Sequence, residues 1–159
     1  AVTGTIRQRP QVKILEGAKG VFSLNKRWRT LAMQPNNPKE IVWFGSLEEL
    51  QSQFEGVLIK NYKVWNEQKI KIKELIGSSK YELDFAEKYQ SKYHQFRHLP
   101  KRYAVNFDFG IFGNQVAICQ LKKRPFALLI ESQDIADNLK QLFHLAWKGA
   151  VKIKTTPKV

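Results

Sequence analysis

Two kinds of apolar pattern alternate along this chain, and their alternation limits the folds that it can form. The run from Ile41 to Phe44 is continuously apolar, which is typical of a strand covered on both faces of a sheet. Residues 18–33 instead repeat apolar side chains at the spacing of an amphipathic helix. Strands that alternate with helices in this way predict a mostly parallel sheet in an α/β domain.

The complete pattern predicts the order β-α-β-α-β-α-β-β-β-α, with helices on both faces of the sheet. We place the strands at residues 12–16, 41–44, 70–76, 102–109, 115–121 and 126–130. We place the helices near residues 18–33, 56–68, 85–96 and 135–147, with a further short helical turn at 47–50. The last three strands are joined by turn-forming residues, so they are expected to add an antiparallel meander to the same sheet.

The length and composition are those of one folded domain. The chain has 159 residues, of which 43% are hydrophobic and 26% charged, and this balance argues against disorder. We assign residues 1–10 to a lead-in, 11–151 to a single domain and 152–159 to a flexible basic tail. No apolar run approaches the roughly 18 residues of a membrane helix, and no signal peptide is recognised. We therefore expect a cytoplasmic protein without a membrane partner.

Cysteine and histidine are too few to predict a disulfide framework or a zinc site. Cys119 is the single cysteine, and its apolar strand suggests a small buried hydrophobe. His94 and His98 are four residues apart near the end of the third predicted helix, where they could share a face. A metal would need a further ligand, and none is suggested. We expect no metal and no cofactor.

A large excess of positive charge is the unusual feature of the composition. Lys and Arg number 27 against 14 acidic residues, which gives a net charge of +13. Such a surplus favours polyanionic partners such as nucleic acid, while a cationic surface kept for solubility is the alternative. Alternation with Ile70 and Ile72 predicts that the lysines at 69, 71 and 73 point to one side of a strand, which would then lie at an exposed edge of the sheet or face a partner. The candidate nucleic-acid contacts are Lys69, Lys71, Lys73, Lys122, Lys123 and Arg124.

Small residues follow the strands at the places where ligands bind in open α/β sheets. Gly45-Ser46 and Gly77-Ser78 each come between a strand and a helix, so their N–H groups suit an anionic or polar effector. Ordinary turn and capping roles are the alternative. Asn106 and Asp108 alternate with apolar residues and should face one way, either into a pocket or onto the solvated side of an edge strand. All six are candidate effector contacts.

A distinctive ending runs from Val105 to Gly149. A hairpin with Gly-Asn precedes a strand, the next strand ends in Ile-Glu, and a helix ends in a Leu-Phe and Trp-Lys pattern. This ending, and the opening PQVKILEGAKGV, resemble the C-terminal domain of TrmB-type transcriptional regulators of archaea and bacteria. The resemblance covers nearly the whole chain from about residue 10 and implies a phospholipase-D-like fold.

The resemblance also bears on catalysis. Catalytic members of the phospholipase-D-like class use His-x-Lys-x4-Asp, in which His attacks phosphorus and Lys binds the phosphate oxygens. None of the three histidines here is followed two residues later by Lys, and the expected position reads Val105-Asn106-Phe107-Asp108. We therefore expect no catalytic residues and no enzyme activity. A phosphodiesterase or nuclease with a rebuilt site is the alternative.

The resemblance finally implies partners. TrmB-type regulators place a winged helix-turn-helix and a dimerising coiled segment ahead of this domain, and neither is recognisable in these residues. The first hypothesis is a non-catalytic domain that senses a small-molecule effector, dimerises, or does both, while a winged helix outside this sequence reads DNA. Phe143 and Trp147 are candidate homodimer contacts, with core packing as the alternative. A stand-alone basic nucleic-acid-binding domain is a further hypothesis.

Overall fold

Alternating side chains divide the apolar residues of the strands between two layers. The computed structural model describes residues 9–54, 56–103 and 107–154. Within those ranges, eight strands form one mixed sheet and five helices pack on it. Because successive side chains of a strand point to opposite faces, the central strands need apolar neighbours on both sides.

The order of elements agrees with the predicted alternation except near residue 94 and at the C-terminal end. The strands are β1 (Gln11–Glu16), β2 (Glu40–Phe44), β3 (Lys71–Ile76), β4 (His94–His98), β5 (Asp108–Phe112), β6 (Gln115–Gln120), β7 (Phe126–Glu131) and β8 (Val151–Lys152). The helices are α1 (Gly17–Ala32), α2 (Leu47–Gln53), α3 (Val57–Glu67), α4 (Lys80–Tyr89) and α5 (Gln133–Gly149). The predicted mixed α/β class is confirmed.

The sheet joins a parallel half to an antiparallel half. Its strand order is β1-β7-β6-β5-β2-β3-β4-β8. Strands β2, β3 and β4 are parallel, whereas β5, β6, β7 and β1 pair antiparallel in succession. The halves meet where β2 and β5 pair antiparallel, with Trp43 opposite Gly110. The late meander therefore extends the parallel strands into one sheet, as predicted.

The joint between the two halves is closed by indole rings that pack over a glycine. A Cβ on Gly110 would overlap with the ring of Trp43 and would lie 3.0 Å from the ring of Trp28. The two indoles meet edge to face with their centroids 5.5 Å apart. The Nε1 of Trp28 also donates a hydrogen bond to Gln115 on β6 at 2.9 Å. Helix α1 is thereby attached to both halves of the sheet.

The described helices are divided unequally between the two faces of the sheet. The larger core contains residues of α1, α2, α3 and α4 together with strand residues such as Ile41 and Phe112. The smaller core, on the opposite face, contains residues of α5 together with Val42 and Ile111. One face therefore carries four of the described helices, and the other carries α5.

The third predicted helix is wrong beyond Tyr89. Helix α4 ends there, and the residues from His94 to His98 form β4, which pairs parallel with β3. The aromatic spacing suggested a longer helix because Phe96 also faces the core, although it does so from a strand. The hydroxyl of Ser91 accepts hydrogen bonds from the N–H groups of Tyr93 and His94, and this turn separates the two elements.

The boundaries of other predicted segments also change. Lys69 lies in a left-handed turn with φ 55°, so β3 begins two residues later, at Lys71. The prediction that this strand lies at an exposed edge of the sheet is wrong, because β3 lies between β2 and β4. Strand β5 begins at Asp108 and not at 102. Lys152, which the predicted tail includes, instead belongs to β8 and pairs with Arg97 of β4. Residues 1–8 and 155–159, which make up most of the predicted lead-in and tail, lie outside the described ranges.

Replacing Gly110 with Ala is expected to destabilise the fold. The added Cβ must displace the ring of Trp43, and overpacking of this kind costs about 1–3 kcal/mol of unfolding free energy. A urea titration followed by tryptophan fluorescence measures this free energy. Gly149→Ala is the matched control, since a Cβ there meets nothing within 4 Å. Equal unfolding free energies for the two variants would contradict the importance of the joint.

Candidate functional site

The turn after β2 brings the first candidate residues to the carboxyl edge of the parallel strands. The N–H of Gly45 donates to the carbonyl oxygen of Leu75 at 3.0 Å and so extends the pairing of β2 with β3. Ser46 is the N-cap of α2, and its hydroxyl accepts a hydrogen bond from the N–H of Glu49 at 3.2 Å. Ser46 therefore has the capping role that we considered as the alternative.

The turn after β3 reaches the same edge. Ser79, and not Ser78, caps α4 by accepting a hydrogen bond from the N–H of Glu82 at 3.2 Å. The Oε1 of Glu82 accepts a further hydrogen bond from the N–H of Leu47 at 3.1 Å. A Cβ on Gly77 would overlap with Oε2 of Glu82, so the glycine lets the carboxylate approach the turn. Burial raises the pKa of Glu82, although backbone N–H groups that bond to it favour its charged form.

Asp108, at the start of β5, reaches this edge from the antiparallel half. It is 2% exposed, and its Oδ1 accepts a hydrogen bond from Nε1 of Trp43 at 3.2 Å. A Cβ on Gly45 would overlap with the same oxygen, so the carboxyl group lies directly against the backbone of that turn. Burial raises the pKa of Asp108 from 3.8 to about 8. The group therefore keeps its proton at neutral pH.

The position of Asp108 also decides between two interpretations of its strand. We considered a pocket and, as the alternative, the solvated face of an edge strand. Strand β5 lies between β2 and β6, so the edge-strand alternative is wrong. The side chain instead points into the layer that contains Trp43. Asn106, the second candidate in this segment, lies outside the described residues.

These contacts fill the turns with the protein's own side chains. An anion at these turns would need free backbone N–H groups. The N–H of Leu47 already donates to Glu82, that of Glu49 to Ser46, and that of Glu82 to Ser79. The acidic side chains of Glu48 and Glu49, in the first turn of α2, would also repel an anion. The geometry therefore does not favour an anionic effector at Gly45, Ser46, Gly77 and Ser78. An uncharged polar effector stays a prediction.

A buried Tyr–Glu–His cluster, which sequence reasoning missed, lies in the middle of β3, away from the carboxyl edge. The Oε2 of Glu74 accepts a hydrogen bond from the hydroxyl of Tyr62 at 2.8 Å and lies 2.8 Å from Nε2 of His94. All three side chains are at most 4% exposed. Burial, with the adjacent carboxylate, raises the pKa of Tyr62 well above its ordinary value. Because the three residues belong to α3, β3 and β4, no local spacing relates them.

The other histidines have separate surroundings. The Nδ1 of His98 lies 3.2 Å from the carbonyl oxygen of Leu99, and Nε2 of His144 on α5 lies 3.6 Å from Oε1 of Glu40. Partial burial lowers the pKa of His144. Within the described ranges, no histidine bonds to Asp108. No group of three or more His, Cys, Asp or Glu side chains in those ranges is arranged to hold a metal ion.

The two predicted groups of nucleic-acid contacts lie at opposite ends of the strands. Lys69 and Lys71 lie where β3 begins, and Lys73 follows on the face that carries α5. The residues from Lys122 to Arg124 form the turn between β6 and β7, at the carboxyl edge. Lys122 pairs there with Glu49 at 3.1 Å, so part of its charge is neutralised. The structure therefore does not bring these groups together as one surface.

Phe143 and Trp147, the candidate dimer contacts, belong to the smaller core. Both side chains are buried between α5 and the sheet. The guanidinium of Arg97 lies over the Trp147 ring, 4.7 Å from its centroid. This placement supports core packing, which was the alternative. The outward side of α5 instead presents Leu142 and Leu145, which are 62% and 71% exposed.

Two searches by sequence find no relative, whereas solved structures identify the fold. No protein-family profile and no curated protein matches the chain. TrmBL2, an archaeal chromatin protein whose structure shows a novel mode of DNA binding, superposes with a TM-score of 0.59 at 18% identity. The match covers 94% of this chain and 54% of that one, so the chain spans about half the length of TrmBL2.

Two bacterial structures are also similar. Nuc from Salmonella typhimurium, a phospholipase D family member, has a TM-score of 0.67 at 10% identity, with 93% of this chain and 100% of that chain covered. NucT from Helicobacter pylori has a TM-score of 0.66 at 8% identity, with 91% and 99% covered. The predicted phospholipase-D-like fold is confirmed, and the likeness to TrmBL2 agrees with the resemblance to TrmB-type regulators. At these identities the likeness shows the fold alone.

None of the helices in the described ranges combines the length and the apolar character that crossing a bilayer requires.

The raised pKa of Asp108 predicts how stability depends on pH. Below about pH 4 the carboxyl group is protonated in both states, whereas from there to about pH 8 only the folded state keeps the proton. The free energy of unfolding should therefore fall as pH rises, by up to about 1.4 kcal/mol per pH unit. Asp108→Asn keeps an acceptor for Trp43 and removes this dependence.

The measurement is a urea titration of both proteins between pH 5 and pH 8. The unfolding free energy of the parent minus that of Asp108→Asn should decrease steadily across this range. A difference that does not change with pH would contradict the raised pKa.

Proposed function

We propose that this chain is a non-catalytic dimerisation domain of a TrmB-type, DNA-associated regulator. Two copies associate through the sheet face that carries α5, and a winged helix outside this sequence reads the DNA in the cytoplasm. The observation that carries the proposal is the unequal helical cover of the sheet, which leaves apolar side chains exposed on that face.

An apolar row crosses five strands beside α5. The strand registers place its members side by side in the order Ile14, Leu128, Ile118, Phe109 and Phe44. Phe44 and Phe109 lie two residues along their strands from Val42 and Ile111. The row therefore lies on the face of the sheet that carries the smaller core. None of the five is buried, and Ile14 is 66% exposed. At the usual spacing of about 4.8 Å between strands, the row is about 20 Å wide.

Helix α5 extends this apolar surface. Leu142 and Leu145 project outward from it and are the most exposed large apolar side chains of the helix. Contiguous apolar patches on the surface of a soluble protein mark protein–protein interfaces when they are large. A two-fold axis lets the same patch on both copies become buried, and a stable dimer needs about 800 Å² from each copy. The apolar row and the outward side of α5 are the surfaces that we expect to become buried in this way.

A two-fold dimer has a direct consequence for DNA recognition. Two winged helices carried by such a dimer would meet two half-sites whose spacing the dimer sets. An effector that binds one arrangement of the two copies better than another would change that spacing, and with it the affinity for DNA. The resemblance to TrmB-type regulators and the likeness to TrmBL2 support this setting.

The burial of Asp108 and of His94 supports a non-catalytic role. Phosphodiester cleavage in this class begins with a nucleophilic side chain, and Asp108 is buried and protonated at neutral pH. His94 is 0% exposed and bonds to Glu74. Neither side chain can approach a phosphodiester without unpacking the core.

The double substitution Ile14→Glu with Leu145→Glu is expected to convert the dimer into a monomer. Two charges per copy would otherwise be buried in an apolar interface without partners. Light scattering after size exclusion, at tens of micromolar protein, should give the parent twice the 18.5 kDa of the chain. The variant should give a single chain mass.

Met33→Glu is the matched control for this experiment. Met33 is 56% exposed, like the substituted residues, but follows α1 on the opposite face of the sheet. The control should keep the dimer mass. A parent protein that is monomeric in the same measurement would overturn the proposed dimer.

The chain is further expected not to hydrolyse phosphodiesters. Bis(4-nitrophenyl) phosphate and a DNA duplex should show no turnover above buffer, with or without added divalent cations. Turnover by the parent that disappears in Asp108→Asn would contradict the non-catalytic role and would favour the rebuilt phosphodiesterase instead.

A further inference from the structure

Positive and negative side chains are segregated over the larger core. Helix α1 contains Lys19, Lys26, Arg27 and Arg29 and has no acidic residue. Helix α3 contains Lys60, Lys63 and one acidic residue at its C-terminal end. Acidic side chains are concentrated instead in α2 and α4. Because α1 and α3 pack side by side, their outward surface is cationic.

Five side chains define what we call the α1–α3 face: Lys19, Lys26, Arg29, Lys60 and Lys63. Within the described ranges none of the five makes an ion pair, whereas Arg27, on another side of α1, pairs with Glu131. The four lysines of the face are exposed, and Arg29 is half-buried at the seam between the two helices. Their positive charge is therefore available to a partner.

A buried amide pair holds Arg29 in place. The Nδ2 of Asn61 donates to Oδ1 of Asn25 at 2.6 Å, and Nη1 of Arg29 donates to Oδ1 of Asn61, also at 2.6 Å. Asn25 in turn donates to the carbonyl oxygen of Val21 at 2.8 Å. Buried amides destabilise a helix seam unless they are hydrogen-bonded, and this chain of bonds ends at the guanidinium. Among the described residues, the bond to Asn61 is the one hydrogen bond that the guanidinium makes, so its other donors can bind a phosphate in a bidentate manner.

The dimensions of the face match a regular polyanion. At a rise of 1.5 Å per residue, Lys19 and Arg29 lie about 15 Å apart along α1. Duplex DNA carries about nine phosphate charges over that length of its axis. Proteins that bind single strands also present aromatic rings on which bases stack. The exposed ring beside these cations, Phe22, packs edge-on against Phe54, which favours duplex binding through the backbone.

We propose that the α1–α3 face binds the phosphate backbone of double-stranded DNA without reading its sequence. This goes beyond the proposed dimerisation role, because it gives the domain a DNA contact of its own. The face lies on the opposite side of the sheet from α5 and the apolar row. Dimerisation therefore leaves it free. It also takes the place of the two separated groups of basic residues that the sequence suggested.

The test compares two variants that each lose three Lys and one Arg. The face variant carries Lys26→Gln, Arg29→Gln, Lys60→Gln and Lys63→Gln. The control variant carries Lys69→Gln, Lys71→Gln, Lys123→Gln and Arg124→Gln, and so has the same net charge. Fluorescence anisotropy measures the Kd of each for a labelled duplex of arbitrary sequence at about 50–200 mM salt.

The face variant should bind the duplex at least tenfold more weakly than the parent. The slope of log K against log salt should become shallower by about 3–4, since each lost phosphate contact contributes about 0.9. The control variant should stay within about threefold of the parent, and its slope should change by less than about 1. A second duplex of different sequence should give the same Kd.

Three outcomes would overturn the proposal. They are equal losses in the two variants, no binding by the parent at the lowest salt, and tighter binding of a single strand than of the duplex. Light scattering on the same variants tests the proposed dimer independently of DNA binding. The face variant should keep the mass of the parent. A monomeric parent would contradict the dimer and would leave the comparison of salt slopes valid.

Discussion

The packing of Trp43 over Gly110 joins the two halves of the sheet, and the other features of the domain are arranged around it. A side chain larger than hydrogen at position 110 would collide with the indole, so glycine is what lets β5 approach β2 there. The same ring packs against Trp28 of α1 and donates its N–H to Asp108. One side chain thus positions a helix, a strand pair and a buried carboxyl group, because close-packed interiors transmit any displacement to their neighbours.

The elements that could be predicted are those whose pattern is determined by their own side chains. The run from Ile41 to Phe44 is apolar because β2 packs against a core on each face, and α5 has an apolar stripe because one side of it faces the sheet. Strand β4 could not be found in this way. The segment from His94 to His98 is a strand because β3 offers it hydrogen-bonding partners, and a local spacing of aromatic residues carries no information about that neighbour. The two residues of β8 depend on β4 for the same reason.

The candidate site could likewise be predicted only in part. Alternation in the sequence singled out Asp108, but its burial, which raises its pKa, depends on neighbours such as Trp43 in β2 and Gly45 in the turn after it. The turns at the carboxyl edge were located correctly, although the sequence could not show that Glu82 and two serines already occupy their N–H groups. Counting Lys and Arg revealed the excess of charge. The structure adds where those charges lie, since α1 and α3 pack side by side and their outward cations make no ion pair with an acidic side chain of the described ranges.

The pairing of β1 with β7 has a consequence for how the domain assembles. Gln11 lies opposite Glu131, so the earliest described strand finds its neighbour about 120 residues later. Contacts of such long sequence separation slow folding, since the intervening chain must be ordered before they form. During synthesis β1 leaves the ribosome well before β7, so its backbone N–H and carbonyl groups lack their partners in the sheet until β7 has been made. This early strand is thus among the last to be paired, and the domain is most prone to aggregation in that interval.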